Sequence, residues 1–419
     1  MKYTIICPVY PPEPVVSAAT SRQIAEKIRA DHHDVTVITA FPNRPEGKLY
    51  AGYTRKLFQK ETDKSGIQIV RCFSTLAPSS EILSRLLENL SFGFTSGIRL
   101  LFSSQPDLVY SNSWPIFATG LVALVCKIRR IPYVISVQDI YPESLLIQGR
   151  LKSDGIITKI LYAIDRWIVS GSKKTILISD EFAEIYAASR KLPANQVMVV
   201  PNWIDENKVT PEPAALYRNE RHIDPNQFVL VYGGNVGVAS GMTEFLLTLK
   251  HISTPQAIVL IIAGSGSQLD ACRKIAKEIR NVEVIFHSPW EEEDTSKVLS
   301  AADLLILPTH GQQSLFSVPS KLIAYMLSGR PILGLTLPNS STAKTIEKAA
   351  CGWVIDPDNR NGIVEKILEI SEYEKDLLEK RGANGRIFAM QNFTAKACLP
   401  EVIRVISQNP NKLRHRKNK

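Results

Sequence analysis

Two doubly wound α/β domains are the fold class that this sequence predicts. Short apolar runs alternate with amphipathic helical patterns along the whole chain, which is typical of parallel sheets covered on both faces. The chain opens with such a unit, a strand at Tyr3–Cys7 and a helix at Ser17–Arg29. A second opening lies in the middle, where the strand Phe228–Tyr232 runs into a glycine turn and a helix at Met242–Leu249. We therefore expect two domains facing a shared cleft.

Each half contains a series of predicted strands. In the first half, after the opening strand, they are Val35–Thr39, Ile67–Cys72, Leu108–Tyr110, Tyr133–Val137, Thr175–Ile178 and Val197–Val200. In the second half, after Phe228–Tyr232, they are Ala257–Ala263, Val282–Phe286, Leu304–Leu307, Pro331–Gly334 and Trp353–Ile355. Helical patterns fill most of the intervals, which supports the βα alternation.

The domain boundaries follow from composition. The stretch Pro201–Asn226 holds four prolines, several charges and no strong period, as is typical of a linker. Arg386–Ser407 reads as a last long helix whose apolar positions, from Ile387 to Ile406, are expected to pack back on the first domain. The prediction is an N-terminal domain at 1–200, a C-terminal domain at 201–385 and a crossover helix with a basic tail at 386–419.

The composition indicates a globular protein with a basic excess. Of 419 residues, 44% are hydrophobic and 22% charged, and the formal net charge is +9. A basic excess favours anionic partners such as nucleotide phosphates or an anionic membrane surface. Part of it lies in the tail, at Lys412, Arg414, Arg416, Lys417 and Lys419. That tail is either a solvated terminus or a segment that binds membrane or RNA, although no signal of a nucleic-acid-binding module is present and nucleic acid is not an expected partner.

Cysteine usage and hydropathy point to a cytoplasmic protein. The six cysteines are scattered singly, without metal-ligand or CxxC spacing, so buried reduced thiols are expected and a metal is not. The N-terminus enters a strand directly, and the longest apolar run, Ile116–Val125, is too short to span a bilayer. A second apolar tract, Leu83–Phe102, carries Arg85 and Arg99. It is either a core helix or a partly exposed face that docks on the inner face of the cell membrane.

Three loops of the first half follow strands, where an open α/β sheet binds ligands. The first, Pro8–Ala19, offers Glu13 and Ser17, with an ordinary proline-stiffened βα loop as the alternative. Asn112 precedes Ser113, Trp114 and Pro115 at the next strand exit, and Gln138 begins the third loop. There Asp139 and Glu143 could orient sugar hydroxyls or act as a base, while Glu143 fits a first-turn helix acid equally well.

Two regions of the second half could hold a phosphate group. The loop Gly233–Gly241 has four glycines at a helix start, where backbone N–H groups bind a diphosphate. Gly264–Leu269 is a second glycine turn, but it lacks a full GxGxxG and its ribose-binding acid, which excludes a dinucleotide site. Ser320 is a predicted helix N-cap. Lys321, in the first turn of that helix, opposes the helix dipole, and this placement favours a phosphate-binding role over that of a surface charge.

These segments, in this order, resemble glycosyltransferase family 4, retaining enzymes with two Rossmann-like domains (GT-B). The motifs that carry the resemblance are the Pro11–Pro14 loop, Asp34–Thr39, Gln138–Glu143, Val200–Asp205, Gly233–Gly241, Ala301–Pro308, Gly329–Leu333 and Gln391–Thr394. The similarity is strongest to the bacterial exopolysaccharide and O-antigen subgroup of colanic-acid type, through Gly-Asn-x-Gly and Pro-Ser-Lys.

The chain also departs from the pattern of that family. Positions that often carry an Arg and a Lys hold Asn235 and Ser240, and the family's Glu-x7-Glu acids fall on Phe316 and Ala324. Positions that hold histidine in the first domain read Asn112 and Gln138. Backbone amides of the glycine loop and Lys321 are the expected replacements for the missing cations. No replacement for the missing glutamates is evident.

The resemblance implies a retaining hexosyl- or N-acetylhexosaminyltransferase of surface-polysaccharide or lipopolysaccharide synthesis. It would move a sugar from a nucleoside-diphosphate sugar to a saccharide or polyprenyl-diphosphate-linked acceptor, without metal or cofactor. The expected catalytic residues are Asp139, Glu143 and Lys321. Donor binding is assigned to Gly234, Asn235, Gly237, Gly264, Ser320 and Lys321, and the acceptor side to Glu13, Ser17, Asn112 and Gln138. The alternatives are a sugar-nucleotide 2-epimerase, for which His287 and His310 are the best-placed histidines, and a silent scaffold of the same fold. The sequence leaves open the sugar, the nucleobase, the linkage and the oligomeric state.

Overall fold

The chain divides into two compact units. The structure, a computed structural model, describes residues 1–44, 46–76, 82–112, 116–147, 149–254, 256–309 and 318–407. Unit 1 comprises Met1–Pro201 together with the C-terminal segment that begins at Cys398, and unit 2 comprises Asn202–Ala397. Each unit is built on its own sheet.

Unit 1 contains an eight-stranded sheet in the order β3-β4-β2-β1-β5-β6-β7-β8. Its strands are β1 Lys2–Ile6, β2 Asp34–Ala40, β3 Phe58–Thr62, β4 Gln68–Cys72, β5 Leu108–Asn112, β6 Tyr133–Val137, β7 Lys174–Leu177 and β8 Val197–Val199. All pairs are parallel except β3 with β4. Every residue of β5 and β6 is buried, because helices cover both faces of a parallel sheet.

The helices of unit 1 fill the crossovers. They are α1 Val16–Ala30, α2 Ile82–Leu101, α3 Ile116–Ile128, α4 Glu143–Ile147, α5 Ile156–Ser170 and α6 Asp180–Arg190. Helix α2 contains most of the tract Leu83–Phe102, and one side of this helix is core while the other is exposed. Phe92 and Leu100 are core residues, whereas Leu83, Leu87 and Phe94 are exposed. No helix among the described residues is long and apolar enough to cross a membrane.

Unit 2 contains a six-stranded parallel sheet in the order β11-β10-β9-β12-β13-β14. Its strands are β9 Phe228–Gly233, β10 Ile258–Ala263, β11 Val282–His287, β12 Leu304–Pro308, β13 Ile332–Leu335 and β14 Gly352–Ile355. Its helices are α7 Ala215–Glu220, α8 Met242–Leu249, α9 Leu269–Ala276, α10 Thr295–Ser300, α11 Ser320–Leu327, α12 Ser341–Lys348, α13 Arg360–Ser371 and α14 Lys375–Asn392. Two apolar clusters, one on each face of this sheet, form its core.

The C-terminal helix returns to unit 1, as predicted. This helix, α15 Ala395–Ser407, buries Cys398, Val402, Val405 and Ile406, and Ser407 hydrogen-bonds the side chain of Tyr3. The predicted single helix over Arg386–Ser407 is wrong, however. α14 ends at Asn392, and Thr394 Oγ1 accepts a hydrogen bond from the N–H of Ala397 at the start of α15. The predicted boundary at residue 386 therefore falls inside α14, and unit 2 continues to Ala397.

One other expectation is wrong, and one strand was not predicted. The supposed linker Pro201–Asn226 belongs to unit 2 from Asn202 onward, and it contributes Val209, Tyr217 and Ile223 to the core. Strand β3 was not expected, and its antiparallel pairing covers the free edge of β4. The six cysteines are buried, reduced thiols, as expected, and burial raises the pKa of five of them to about 12 and that of Cys272 to about 11.

A buried arginine holds the loop that follows β6. Arg190, at the end of α6, has a fully buried side chain that pairs with both oxygens of Glu143 and with Asp165, at 2.7 Å from Nε. Its Nη2 also donates to the carbonyl oxygen of Tyr141 at 2.7 Å. The guanidinium therefore fixes the start of α4 against α5 and α6.

We expect Arg190→Met to lower the free energy of unfolding by about 3–5 kcal/mol, because it leaves the buried carboxylate of Asp165 and the partly buried one of Glu143 without their cation. Chemical denaturation monitored by circular dichroism measures this change. Arg404→Met is the control, since the Arg404–Glu401 pair is exposed and should contribute less than about 1 kcal/mol. Equal effects of the two substitutions would contradict the assignment.

Candidate functional site

In both units the strand order reverses once, and such a reversal opens a crevice at the carboxyl ends of the strands. In unit 1 the reversal lies between β1 and β5, and in unit 2 between β9 and β12. The loops that leave these four strands carry most of the predicted site residues. Ser113, Trp114, Pro115, His310, Phe316 and the basic tail lie outside the described residues.

In unit 2 the two glycine turns touch each other. Gly234 follows β9 and Gly264 follows β10, both with left-handed φ angles, of 144° and 139°. A Cβ atom on Gly264 would lie 2.0 Å from the carbonyl oxygen of Gly234. The N–H of Val236 donates to the carbonyl of Ser265 at 2.8 Å, and the N–H of Gln268 donates to that of Val236 at 2.9 Å. The two turns therefore form one rigid surface, which requires glycine at position 264.

Lys321 lies on this surface. Its side chain covers Gly234, since a Cβ atom there would meet Cε of Lys321 at 2.4 Å. Its Nζ donates to the hydroxyl of Tyr232 at 2.5 Å and lies 4.2 Å from the centre of that ring. Burial lowers the pKa of Lys321 to about 8. Among the described residues no carboxylate forms an ion pair with it, so a desolvated cation faces a glycine turn without a counter-charge.

Tyr325 is a second residue that ties α11 to the glycine turn. Its hydroxyl accepts from the N–H of Gly233 at 2.7 Å and donates to the carbonyl of Gly233 at 3.1 Å. Sequence reasoning missed Tyr232 and Tyr325, although Tyr325 follows Lys321 by four residues and therefore shares its helix face. Ser320 was predicted to be the N-cap of α11, and this is wrong. Pro319 holds the N-cap position, and Ser320 is the exposed first residue of the helix.

Several backbone N–H groups of the loop Gly233–Gly241 are already hydrogen-bonded, so fewer of them are left to bind an anion than the sequence predicts. The N–H groups of Gly233, Gly234 and Val236 already donate to protein acceptors. The N–H groups of Asn235 and Gly237 donate to no protein acceptor among the described residues, and Asn235 is exposed. Ser240 is buried at the position where the family often has lysine, and its hydroxyl donates to the carbonyl of Gly237 at 2.6 Å. Of the predicted replacements for the missing cations, Lys321 is the one that carries charge.

Unit 1 contains a cavity of about 230 Å³ at the carboxyl edge of its sheet. Its lining combines an apolar wall with polar groups: Pro8, Val9, Val15, Ser17, Ala40, Asn43, Arg44, Ser74, Glu88, Asn89, Phe92, Asn112 and Gln138. Arg44 Nη2 donates to both oxygens of Glu88, at 2.8 and 2.7 Å. Three buried polar atoms have no hydrogen-bond partner among the described residues, namely Oδ1 of Asn43, Nη1 of Arg44 and Oγ of Ser74. Buried polar atoms without a partner beside a cavity are a feature of sites for polar ligands.

Three of the four predicted acceptor-side residues line this cavity. They are Ser17, Asn112, whose Nδ2 lies 3.3 Å from Oγ of Ser21, and Gln138, whose Nε2 donates to Oγ of Ser136 at 2.8 Å. The fourth, Glu13, is not a lining residue, but it binds the backbone of two lining residues, Asn43 and Arg44. It is buried and accepts from the N–H groups of Tyr10, Asn43 and Arg44, at 3.1, 3.0 and 2.9 Å. Burial raises the pKa of Glu13, and the three backbone donors partly offset that effect.

The two predicted acids of the third loop differ in surroundings. The carboxyl group of Asp139, directly after β6, accepts hydrogen bonds from the N–H of Ile140 and the side chain of Ser144, and its desolvation raises its pKa to about 6. Both oxygens of Glu143, in contrast, are bound by Arg190. The ion pair favours the structural interpretation of Glu143, because its lone pairs are already engaged. His287 is also engaged, since Nδ1 lies 2.9 Å from both the hydroxyl of Tyr217 and Nη2 of Arg221.

Comparison with known proteins agrees with this arrangement. The family model described as "Glycosyl transferase 4-like domain" matches residues 17–203, and that described as "Glycosyl transferases group 1" matches residues 227–372. The chain belongs to glycosyltransferase family 4. It is therefore a glycosyltransferase, and its two parallel-sheet units are those of the GT-B fold.

The relatives are distant but match over most of their length. The probable glycosyltransferase WbjE of Pseudomonas aeruginosa is 24% identical over 89% of each chain. WcaI of Escherichia coli (strain K12), which carries the name of a colanic acid biosynthesis glycosyl transferase, is 22% identical over 65% of this chain and 69% of its own.

Two solved structures share the fold over 97% of this chain and 99% of their own. Sucrose-phosphate synthase from Thermosynechococcus elongatus is 14% identical, with a TM-score of 0.71, and Anabaena HepE in complex with UDP-glucose is 15% identical, with a TM-score of 0.65. At these identities the likeness shows the fold alone.

We expect Gly264→Ala to destabilise unit 2 by about 1–3 kcal/mol, because the added methyl group forces the two glycine turns apart. Chemical unfolding measures this loss. Gly149→Ala is the matched control, since Gly149 also has a positive φ but a methyl group added there would have nothing within 4 Å. A Gly264→Ala protein as stable as the control would show that the turns can separate without cost.

Proposed function

We propose that this glycosyltransferase moves a hexosyl or N-acetylhexosaminyl group, with retention of configuration, from a nucleoside-diphosphate sugar to a lipid-linked saccharide. The pathway would be the synthesis of a bacterial surface polysaccharide or lipopolysaccharide, and the name of WcaI supports the first of these. The observation that carries the proposal is Lys321, a desolvated cation over Gly234 with no counter-charge among the described residues.

The donor diphosphate is the natural partner of Lys321. An ammonium group that has lost most of its hydration gains more from an anionic ligand than an exposed lysine does. Gly234 has no side chain, so the ligand can approach the backbone closely there. The HepE structure with UDP-glucose shows that this fold accommodates a nucleotide sugar, and we extend that property to this chain.

Catalysis would come from stabilisation of the leaving diphosphate. The bond from the anomeric carbon to the donor phosphate breaks, a bond to the acceptor hydroxyl forms, and the hydroxyl proton leaves with the products. Lys321 would neutralise charge that develops on the leaving group, which is the role that electrostatic preorganisation performs best. The proposal requires neither a metal nor a cofactor, because the lysine supplies that charge. Asp139, whose pKa is raised by desolvation, is the acid that could orient the acceptor or take its proton.

The acceptor saccharide would occupy the unit 1 cavity. Its apolar wall and unpaired polar atoms suit a sugar ring, which has apolar faces and hydroxyl edges. Arg44 is engaged by Glu88, which also pairs with Arg85, so this guanidinium is not free for an anionic ligand and the cavity suits a neutral sugar. Because the acceptor is lipid-linked in this proposal, the enzyme would work in the cytoplasm, in peripheral contact with the inner face of the cell membrane.

Lys321→Ala should weaken the binding of nucleoside diphosphates about tenfold or more, since a charge-assisted hydrogen bond contributes roughly 1.5–3 kcal/mol. The melting temperature should stay nearly unchanged, because the lysine has no anionic partner among the described residues of the free protein. Calorimetric titration with the donor, preceded by a screen of sugar nucleotides for thermal stabilisation, measures both quantities. Slow release of nucleoside diphosphate by the wild type would further separate an enzyme from a silent scaffold.

The same lysine gives the binding of nucleoside diphosphates a pH dependence. The ammonium is charged below its pKa of about 8, so affinity should be full below pH 8 and should fall as the pH rises through that value. Lys321→Arg keeps its charge throughout and should flatten the profile, as should Lys321→Ala at a lower affinity. An unchanged alkaline decline in Lys321→Ala would assign the titration to another group.

Ser74→Ala should raise the KM for the acceptor roughly fivefold without lowering stability. The hydroxyl of Ser74 has no partner among the described residues of the free protein, so its removal costs the fold nothing, whereas a bound sugar loses one hydrogen bond. Ser170→Ala, an exposed serine of the same unit, serves as the control. Loss of stability with an unchanged KM would show that Ser74 has only a structural role.

A further inference from the structure

The exposed apolar side chains of this protein are concentrated on three neighbouring helices of unit 1. α2 packs on α3 through Gly93 and Gly97, where an added Cβ atom would lie 2.6 Å from Ala118 and 3.7 Å from Val125, respectively. α3 packs on α5, since Lys127 Nζ lies 4.1 Å from the centre of the Trp167 ring. The three helices therefore form one layer with a continuous outer side.

Each helix presents an apolar stripe on that outer side. α2 exposes Leu83, Leu87, Leu90, Phe94 and Leu101, followed by Phe102; α3 exposes Leu124 and Ile128; and α5 exposes Ile156, Ile157, Ile160 and Trp167. On α3 the stripe continues through the half-buried Phe117 and Leu121, at helical spacing from Leu124. These residues define what we call the three-helix surface. Most of the exposed large hydrophobic residues in the described part of the chain belong to it.

The charges of this layer have one sign. Arg85, Arg99, Lys127, Lys159 and Arg166 are the cations of the three helices. Their two acids are buried in ion pairs, Glu88 with Arg44 and Arg85, and Asp165 with Arg190, which leaves Arg99, Lys127, Lys159 and Arg166 without a salt bridge among the described residues. A second copy of this chain would place cations against cations, which disfavours self-association. An anionic lipid surface instead offers phosphates for the cations and an acyl boundary for the apolar side chains.

The geometry points to the three-helix surface as the site at which this protein docks on an anionic lipid membrane. This inference deepens the proposed function, on which it rests only for the lipid-linked nature of the acceptor. The docking segment is larger than the tract Leu83–Phe102 suggested by the sequence. α3 and α5 contribute half of it, including Trp167, a residue type favoured at membrane interfaces.

Binding to vesicles of equimolar phosphatidylglycerol and phosphatidylcholine tests the inference. The full-length wild-type protein should cosediment with these vesicles at low salt, and binding should weaken as salt rises. Phe94→Ser combined with Ile128→Ser and Ile157→Ser, one change per helix, should reduce partitioning at least about twentyfold, because each side chain loses its apolar burial. Lys159→Glu with Arg166→Glu should reduce it roughly fivefold or more per site.

Matched controls lie on α14 of unit 2. Ile387→Ser with Leu377→Ser removes two exposed apolar side chains. Lys375→Glu with Lys380→Glu changes the net charge by the same amount as Lys159→Glu with Arg166→Glu. All four control residues are exposed. Both controls should bind vesicles like the wild type. The inference would be overturned if the wild type did not bind vesicles at low salt or if the controls lost as much binding as the surface variants. It would also be overturned if the wild type were a dimer that the triple serine variant dissociates.

Donor binding and transfer to a detergent-dispersed acceptor separate this inference from the proposed function. Surface variants that lose vesicle binding should retain both activities, and circular dichroism confirms that they are folded. A wild type that binds vesicles but no nucleotide sugar would refute the proposed function and leave the docking surface standing.

Discussion

The parallel arrangement of strands is the constraint on which both sites depend. Parallel strands bring the start of every crossover to one edge of the sheet, and a reversal of strand order sends neighbouring crossovers to opposite faces. In unit 1 this reversal separates the loops after β1 and β5, and the cavity lies there. In unit 2 it separates the loops after β9 and β12, and there Lys321 meets Gly234. The residues at these two places differ between the units, but the backbone arrangement that positions them is the same.

A buried cation, Arg190, and a partly buried one, Lys321, serve opposite purposes. Arg190 has two carboxylates, a carbonyl and two aromatic rings around it, so its charge is compensated and its role is to hold chain segments together. Lys321 has a hydroxyl and a ring, and burial lowers its pKa. A cation that the protein leaves without a counter-charge is available to an external anion.

The sequence predicted what is repeated along the chain and missed what is local or long-range. Buried strands were recognised because their residues are continuously apolar, as in β9 and β10. Strand β3 was missed because an edge strand with the residues Phe-Gln-Lys-Glu-Thr carries no such signal. Prolines and charges between Pro201 and Asn226 concealed three core residues. Lys321 was recognised because a lysine in the first turn of a helix opposes the helix dipole. The roles of Glu13 and Arg190 depend on contacts with residues 30 to 47 positions away, which sequence periodicity cannot reveal.

The contact between the two glycine turns limits how this enzyme can be modified. Backbone meets backbone at Gly234 and Gly264, so neither turn can be reshaped alone. A loop transplanted from a relative to change the sugar specificity would have to bring its partner with it, together with a tyrosine equivalent to Tyr325 to anchor the strand end. Unit 2 is therefore modular at the level of paired crossovers rather than single loops, and recombination between homologues would succeed only where both members of the pair are exchanged.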